Sequence, residues 1–226
     1  WLERRSVREL CRRAAAGDEP AVQDLAAVFC TDTDPKARHL AGRALRSIPA
    51  QSQADILCDE VLLRNHPALL ALAQETGHLP SDPARRALYL FCTSAPVPQQ
   101  GKKDYDLLSA GYAGAPAPMR ARARAASRAG GTCGTLARAL VGAEITRNAG
   151  QWNGDEWDIV IQGLFSEGSQ EDLWLLAPLA PLPLAITVIN ALKEAGWAPA
   201  GDDRILWDAI LPTLPGRSLA AGIAGQ

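Results

Sequence analysis

Apolar residues recur along this chain every three or four positions, and glycine, proline or aspartate separates one such stretch from the next. The stretch that begins at Asp18 shows the pattern, since Pro20 follows closely and Val22, Leu25 and Phe29 recur at helical spacing. Aspartate favours the N-cap position of a helix, and proline is accepted in its first turn. Such a pattern predicts a helix with one apolar face.

The same signals divide most of the chain into helices. Asp34-Pro35 and Asp82-Pro83 each open one, and Pro49 ends the first of these. Further helices are predicted near residues 51–64, 66–76, 104–112, 116–129, 132–147, 154–166, 169–177, 181–196 and 202–213. We therefore expect an array of about ten or eleven helices.

The composition also favours an all-α fold. Alanine, leucine and arginine, which enter helices at little cost, are frequent, whereas β-branched residues are scarce. Hydrophobic residues make up 47% of the 226 residues and charged residues 21%, which is enough apolar material for the core of one or two globular domains.

The clearest predicted loop is residues 95–103, with the sequence APVPQQGKK. It separates a helical region at residues 1–94 from a second helical region at residues 104–214, and a glycine-containing tail follows at residues 215–226. The first residue is Trp1 rather than Met. We therefore expect the chain to be part of a longer protein or to lack its start.

One of the predicted helices carries a family pattern of small and long apolar residues after an Asp-Pro start. The pattern consists of Asp34, Pro35, Arg38, Ala41, Ala44, Leu45 and Ile48. This order resembles the second helix of a HEAT repeat. The resemblance implies a right-handed α-solenoid, in which helical hairpins stack side by side.

A wider resemblance begins at Asn65 and continues to Trp197. Its features are His66-Pro67, Gly77-x-x-Pro80-x-Asp82-Pro83, Arg86-Ala87-Leu88, Tyr105-Asp106-x-Leu108, Tyr112, Asp155-Glu156-x-Asp158, Asp172-Leu173-Trp174 and Glu194-Ala195-Gly196-Trp197. This set is similar to helical regions of large multidomain bacterial proteins that often also carry WD40 propellers or NTPase modules. The resemblance implies a non-catalytic scaffold that mediates protein–protein interaction within a larger bacterial assembly.

Charge is distributed unevenly, although the net charge is only −2. Residues 101–150 carry eight Lys/Arg against three Asp/Glu, and residues 151–210 carry ten Asp/Glu against two Lys/Arg. In the basic part, Arg120, Arg124 and Arg128 recur every fourth residue and so follow one helical stripe. Three interpretations stay open: pairing with acidic residues or solvent, binding of a protein partner or an adjoining domain, or binding of nucleic-acid phosphates.

Tryptophan provides a second candidate for partner binding. Five of the six tryptophans follow residue 150, and Trp152 lies in a link that contains glycine. Tryptophan is enriched at the hot spots of protein interfaces. We therefore predict Trp152 as an aromatic anchor, with packing or a local helix cap as the alternative.

We predict no catalytic residue, no metal site and no cofactor. His39, His66 and His78 lack metal-ligand spacing, and no nucleophile motif surrounds any of the five cysteines. The glycine-rich stretch at 130–135 lacks the lysine of a phosphate-binding loop, and the acidic cluster at 155–158 suits a helix start. Scattered cysteines, with no signal peptide and no membrane-spanning apolar run, predict a cytoplasmic protein without a membrane partner.

Overall fold

The computed structural model describes residues 2–93, 101–141 and 149–213. Within these ranges the chain forms thirteen α-helices and two short 3-10 helices, and it forms no β-strand. The all-α prediction is therefore confirmed. The number of helices exceeds the expected ten or eleven.

The chain divides into two compact units, Trp1–Ala126 and Ser127–Gln226. The first unit contains α1 (Leu2–Ala15), α2 (Glu19–Thr31), α3 (Pro35–Arg46), α4 (Gln51–Arg64), α5 (Pro67–Thr76), α6 (Pro83–Thr93), α7 (Lys102–Gly114) and most of α8 (Ala117–Ala129). The predicted loop at 95–103 lies mostly outside the described residues, and its last two lysines already belong to α7.

Several helices of the first unit contact their nearest or next-nearest neighbours along the chain, and α2 also contacts α5. Helix α2 contacts α3 and α4, α3 contacts α1 and α5, α4 contacts α5 and α6, and α6 contacts α7. Leucines at helical spacing fill the interior, and Leu25, Leu45, Leu57, Leu69 and Leu72 are almost completely buried. Burial of such side chains contributes about 1.5–3 kcal/mol each to folding, which is more than their helix propensity supplies.

Aspartate precedes both α3 and α2, but only one of the two forms a side-chain cap. Asp34 is the N-cap of α3, where its carboxylate accepts a hydrogen bond from the backbone N–H of Lys36 at 3.0 Å. Asp18 occupies the same position before α2, but its carboxylate makes no cap hydrogen bond. It accepts instead from Nε of Arg13 at 2.5 Å. The expected side-chain cap at Asp18 is therefore replaced by an ion pair with the preceding helix.

Within the described residues, the second unit contains the end of α8, five further α-helices and two 3-10 helices. They are α9 (Cys133–Val141), α10 (Gly154–Ser166), α11 (Gln170–Leu176) with a 3-10 helix (Ala177–Leu179), α12 (Leu182–Glu194), and α13 (Asp203–Ile210) with a 3-10 helix (Leu211–Thr213). Helix α9 packs closely on α10, and the indole rings of Trp174, Trp197 and Trp207 contact one another at centroid distances of 5.5–6.4 Å. The predicted tail at 215–226 lies outside the described residues.

No helix in the described part of the chain combines the length and the apolar composition needed to cross a bilayer.

Candidate functional site

The arginines predicted to form one stripe on α8 have three different environments. Met119, Ala123 and Ser127 form the buried face of this helix, and each of the three arginines follows one of them directly. Arg124 is itself buried, and its guanidinium donates a hydrogen bond to the Tyr112 hydroxyl at 2.8 Å. Equal spacing therefore does not give the three arginines equal exposure, because the edge of the helix on which Arg124 lies is packed against the protein.

The other two arginines remain more accessible. Arg120 is half-buried, whereas Arg128 is exposed and lies 3.8 Å from a carboxylate oxygen of Asp155. Arg138, in the same unit as Arg128, makes stronger contacts of this kind, with Glu167 at 2.6 Å and Asp172 at 2.9 Å. Pairing with the acidic part of the chain therefore accounts for Arg128, while a role of Arg120 and Arg128 in binding a partner stays a prediction.

Trp152 lies directly before the N-cap of α10 and packs against its first turns. Its side chain is half-buried, and its ring meets the edge of Trp157 at a centroid distance of 5.0 Å. Asn153 is the N-cap, and Asn153 and Glu156 form a reciprocal capping box. Trp152 and Trp157 thus occupy the two positions of a hydrophobic staple, which fixes the direction of the chain entering a helix. This local role explains Trp152 without a partner, and its part in binding stays a prediction.

The described residues offer little for covalent or metal chemistry. They contain no group of three or more His, Cys, Asp or Glu side chains placed to hold a metal ion. The five cysteines are free thiols, and burial raises the pKa of both Cys58 and Cys92 to about 12. A thiol with so high a pKa is a poor nucleophile at neutral pH. Glu156 of the acidic cluster is used in the capping box described above.

A basic groove of about 330 Å³ lies in the first unit, between α3 and α5. We call it the α3–α5 groove. Its lining consists of Phe29, Pro35, Arg38, His39, Gly42, Arg46, His66 and Ala68. Four of these residues are basic and none is acidic. The groove therefore combines basic side chains with apolar surface supplied by the other residues.

The charges of the α3–α5 groove are only partly compensated. The guanidinium of Arg46 binds the Glu75 carboxylate, with its closest contact at 3.0 Å. Arg38 and His39 are exposed, and neither side chain forms a hydrogen bond or ion pair within the described residues. These two side chains are thus the basic groups available to an incoming ligand. Gly42 allows the ring of Phe29 to pack against the backbone of α3, because a Cβ at this position would lie only 2.8 Å from that ring.

A second cavity of about 220 Å³ adjoins the other side of His66. We call it the His66 cavity. It is lined by Val61, Leu62, Asn65, His66, Pro67, Leu70, Thr93 and Arg122. His66 is the N-cap of α5, as the following proline had predicted, but its side chain makes no cap hydrogen bond. Its imidazole therefore lines both the groove and the cavity.

No protein-family model matches the chain, and no curated protein and no solved structure is significantly similar to it.

The sequence contains a signal for the groove in the basic residues of one helix. Helix α3 contains Lys36, Arg38, His39, Arg43 and Arg46 and no acidic residue. This signal is less regular than the arginine spacing of α8, and it overlaps the apolar order that resembles a HEAT repeat. The approach of α5, which brings His66 and Ala68 opposite α3, was not visible in the sequence.

Proposed function

We propose that this protein is a non-catalytic helical-repeat scaffold that binds an acidic segment of a protein partner in the α3–α5 groove. The observation that carries the proposal is the composition of that groove, which has four basic residues, no acidic residue and an apolar floor. Complementary charge orients a partner and accelerates its association, while apolar contacts supply most of the affinity.

The contacts among the first helices support a repeat architecture. In a solenoid of helical hairpins, alternate helices lie side by side in one layer, and the contacts of α1 with α3, α3 with α5, α2 with α4 and α4 with α6 follow this rule. Curved layers of this kind create extended surfaces that bind other chains. The α3–α5 groove lies between two successive helices of one layer, which is where such a surface would receive an extended segment.

A protein segment fits the groove better than nucleic acid does. Phosphate binding rests on many Lys or Arg side chains along a surface, each of which replaces a counterion. The α8 stripe does not supply them, because Arg124 is buried against Tyr112. In the groove, Arg46 already has an acidic partner in Glu75, so that Arg38 and His39 remain beside apolar residues. A guanidinium and an imidazole beside apolar residues suit a peptide with acidic and apolar side chains.

Fluorescence anisotropy with a labelled twelve-residue peptide of alternating glutamate and leucine tests this proposal. Arg38→Glu places a carboxylate in the groove, and this carboxylate repels the glutamates of the peptide. We expect the substitution to weaken binding by about tenfold. Arg43→Glu is the matched control, because Arg43 is exposed on the same helix but does not line the groove. We expect it to weaken binding by no more than about twofold, through long-range charge alone.

Two outcomes would overturn the proposal. Equal losses for Arg38→Glu and Arg43→Glu would show that only net charge matters. Tighter binding of a twelve-nucleotide single strand, abolished by changing Arg120 and Arg128 together, would favour nucleic acid instead.

A further inference from the structure

The His66 cavity is enclosed mainly by apolar side chains from the end of α4 and the start of α5. Val61, Leu62, Pro67 and Leu70 form these walls, and Arg122 of α8 lies among them. Its volume of about 220 Å³ is below the roughly 300–1,000 Å³ of sites for drug-sized molecules. The cavity is therefore suited to a short apolar group.

Two polar groups of the cavity have no partner within the described residues. Nδ1 of His66 is buried and makes no hydrogen bond. The side chain of Arg122 is half-buried and makes neither a hydrogen bond nor an ion pair with another described residue. Burial raises the pKa of the Cys92 thiol, and the charge of Arg122 acts against this rise. Buried polar groups are nearly always paired in folded proteins, and each exception calls for an explanation.

A carboxylate would satisfy both groups at once. A guanidinium donates paired hydrogen bonds to a carboxylate, and a neutral imidazole protonated on Nδ1 donates one more. Among the described residues, no acidic side chain lines the cavity. We propose that the His66 cavity binds a small apolar carboxylate, with the carboxylate held by Arg122 and His66 and the hydrocarbon against Val61, Leu62 and Leu70.

This inference is independent of the function proposed for the α3–α5 groove. Arg122 does not line the groove, and Arg38 does not line the cavity. Loss of one kind of binding with retention of the other is therefore a distinguishable result.

Isothermal titration calorimetry of the whole chain with 4-methylpentanoate tests the proposal, with 4-methylpentanamide as the uncharged counterpart of the same shape. We expect saturable binding of the acid and binding of the amide at least tenfold weaker. Arg122→Gln should weaken binding of the acid at least tenfold, and His66→Gln should weaken it severalfold. Arg120→Gln is the matched control on the same helix, since Arg120 lies outside the cavity, and it should bind like the unchanged protein.

The same titration with N-acetylleucine and its amide distinguishes the C-terminal residue of a peptide from a free small acid as the source of the carboxylate. Tighter binding of N-acetylleucine than of 4-methylpentanoate would assign the cavity to the C-terminal residue of a peptide, and the reverse order to a free acid. Equal binding of acids and amides, or equal losses in Arg120→Gln and Arg122→Gln, would overturn the proposal. If Arg122→Gln fails to fold, the acid–amide comparison in His66→Gln and in the unchanged protein decides.

Discussion

Helices α6 and α7 approach each other at Gly111, which faces the first turn of α6. A Cβ added to Gly111 would lie 2.2 Å from the carbonyl oxygen of Ala84 and 2.8 Å from its carbonyl carbon. Ordinary contacts between non-bonded heavy atoms are about 3.5–4.0 Å. Gly111→Ala therefore requires the two backbones to separate by about 1.3–1.8 Å, since the atoms in the way belong to the backbone and not to a flexible side chain.

The expected size of the effect follows from two opposing contributions. Overpacking of a close contact costs about 1–3 kcal/mol. Replacement of a helical glycine by alanine raises the free energy of unfolding by about 0.5–1 kcal/mol, because the unfolded chain has less backbone entropy. We expect a net loss of about 1–2 kcal/mol, which lowers the melting temperature by about 2–4 °C for each kcal/mol in a chain of this size.

The matched control is Gly114→Ala at the end of the same helix, where an added Cβ would meet nothing within 4 Å. It should leave stability unchanged or raise it slightly. Thermal and urea unfolding of both variants, followed by far-UV circular dichroism, measures the difference. If Gly111→Ala proved as stable as Gly114→Ala, the close approach of α6 and α7 would be refuted.

Two further predictions concern titratable groups. Partial burial raises the pKa of Asp55, but hydrogen bonds from Ser81 and Gln51 outweigh it and hold the pKa below its usual range. This stabilisation is present above the unfolded pKa of about 4 and is lost as pH falls through the folded pKa. Urea unfolding of the protein and of Asp55→Asn should therefore give free energies of unfolding whose difference shrinks between pH 6 and pH 3. Because burial raises the pKa of Cys58 and Cys92 to about 12, a thiol reagent at pH 8 should leave both unmodified in the native protein and label all five cysteines in urea, as mass spectrometry of the peptides would show.

Helix positions were predictable because their signals are local. The predicted helix at 51–64 is found at Gln51–Arg64, the one at 116–129 at Ala117–Ala129, and the one at 154–166 at Gly154–Ser166. An apolar period of 3.6 residues, cap residues and helix-breaking glycines act within one or two turns of the chain. Gly131, for example, follows the end of α8 in a left-handed conformation with φ of 65°, which glycine adopts readily after a helix.

Exposure of individual polar side chains was not predictable in the same way. Arg120, Arg124 and Arg128 have equal spacing, yet Arg124 is buried because the neighbouring face of α8 is covered and Tyr112 of α7 supplies a hydrogen-bond acceptor. Spacing determines the side of a helix on which a residue lies. The helix packed against that side determines which of its residues are buried.

The amino-acid order therefore determined an all-α chain, the limits of its helices and most of their buried faces, since each depends on neighbours a few residues away. Only the tertiary structure decided which helices lie side by side and what they enclose. His66 and Arg122 are far apart in the chain, and no sequence pattern links the two positions, yet both line one cavity. Contacts at such separation depend on how whole helices pack, and a local pattern does not encode them.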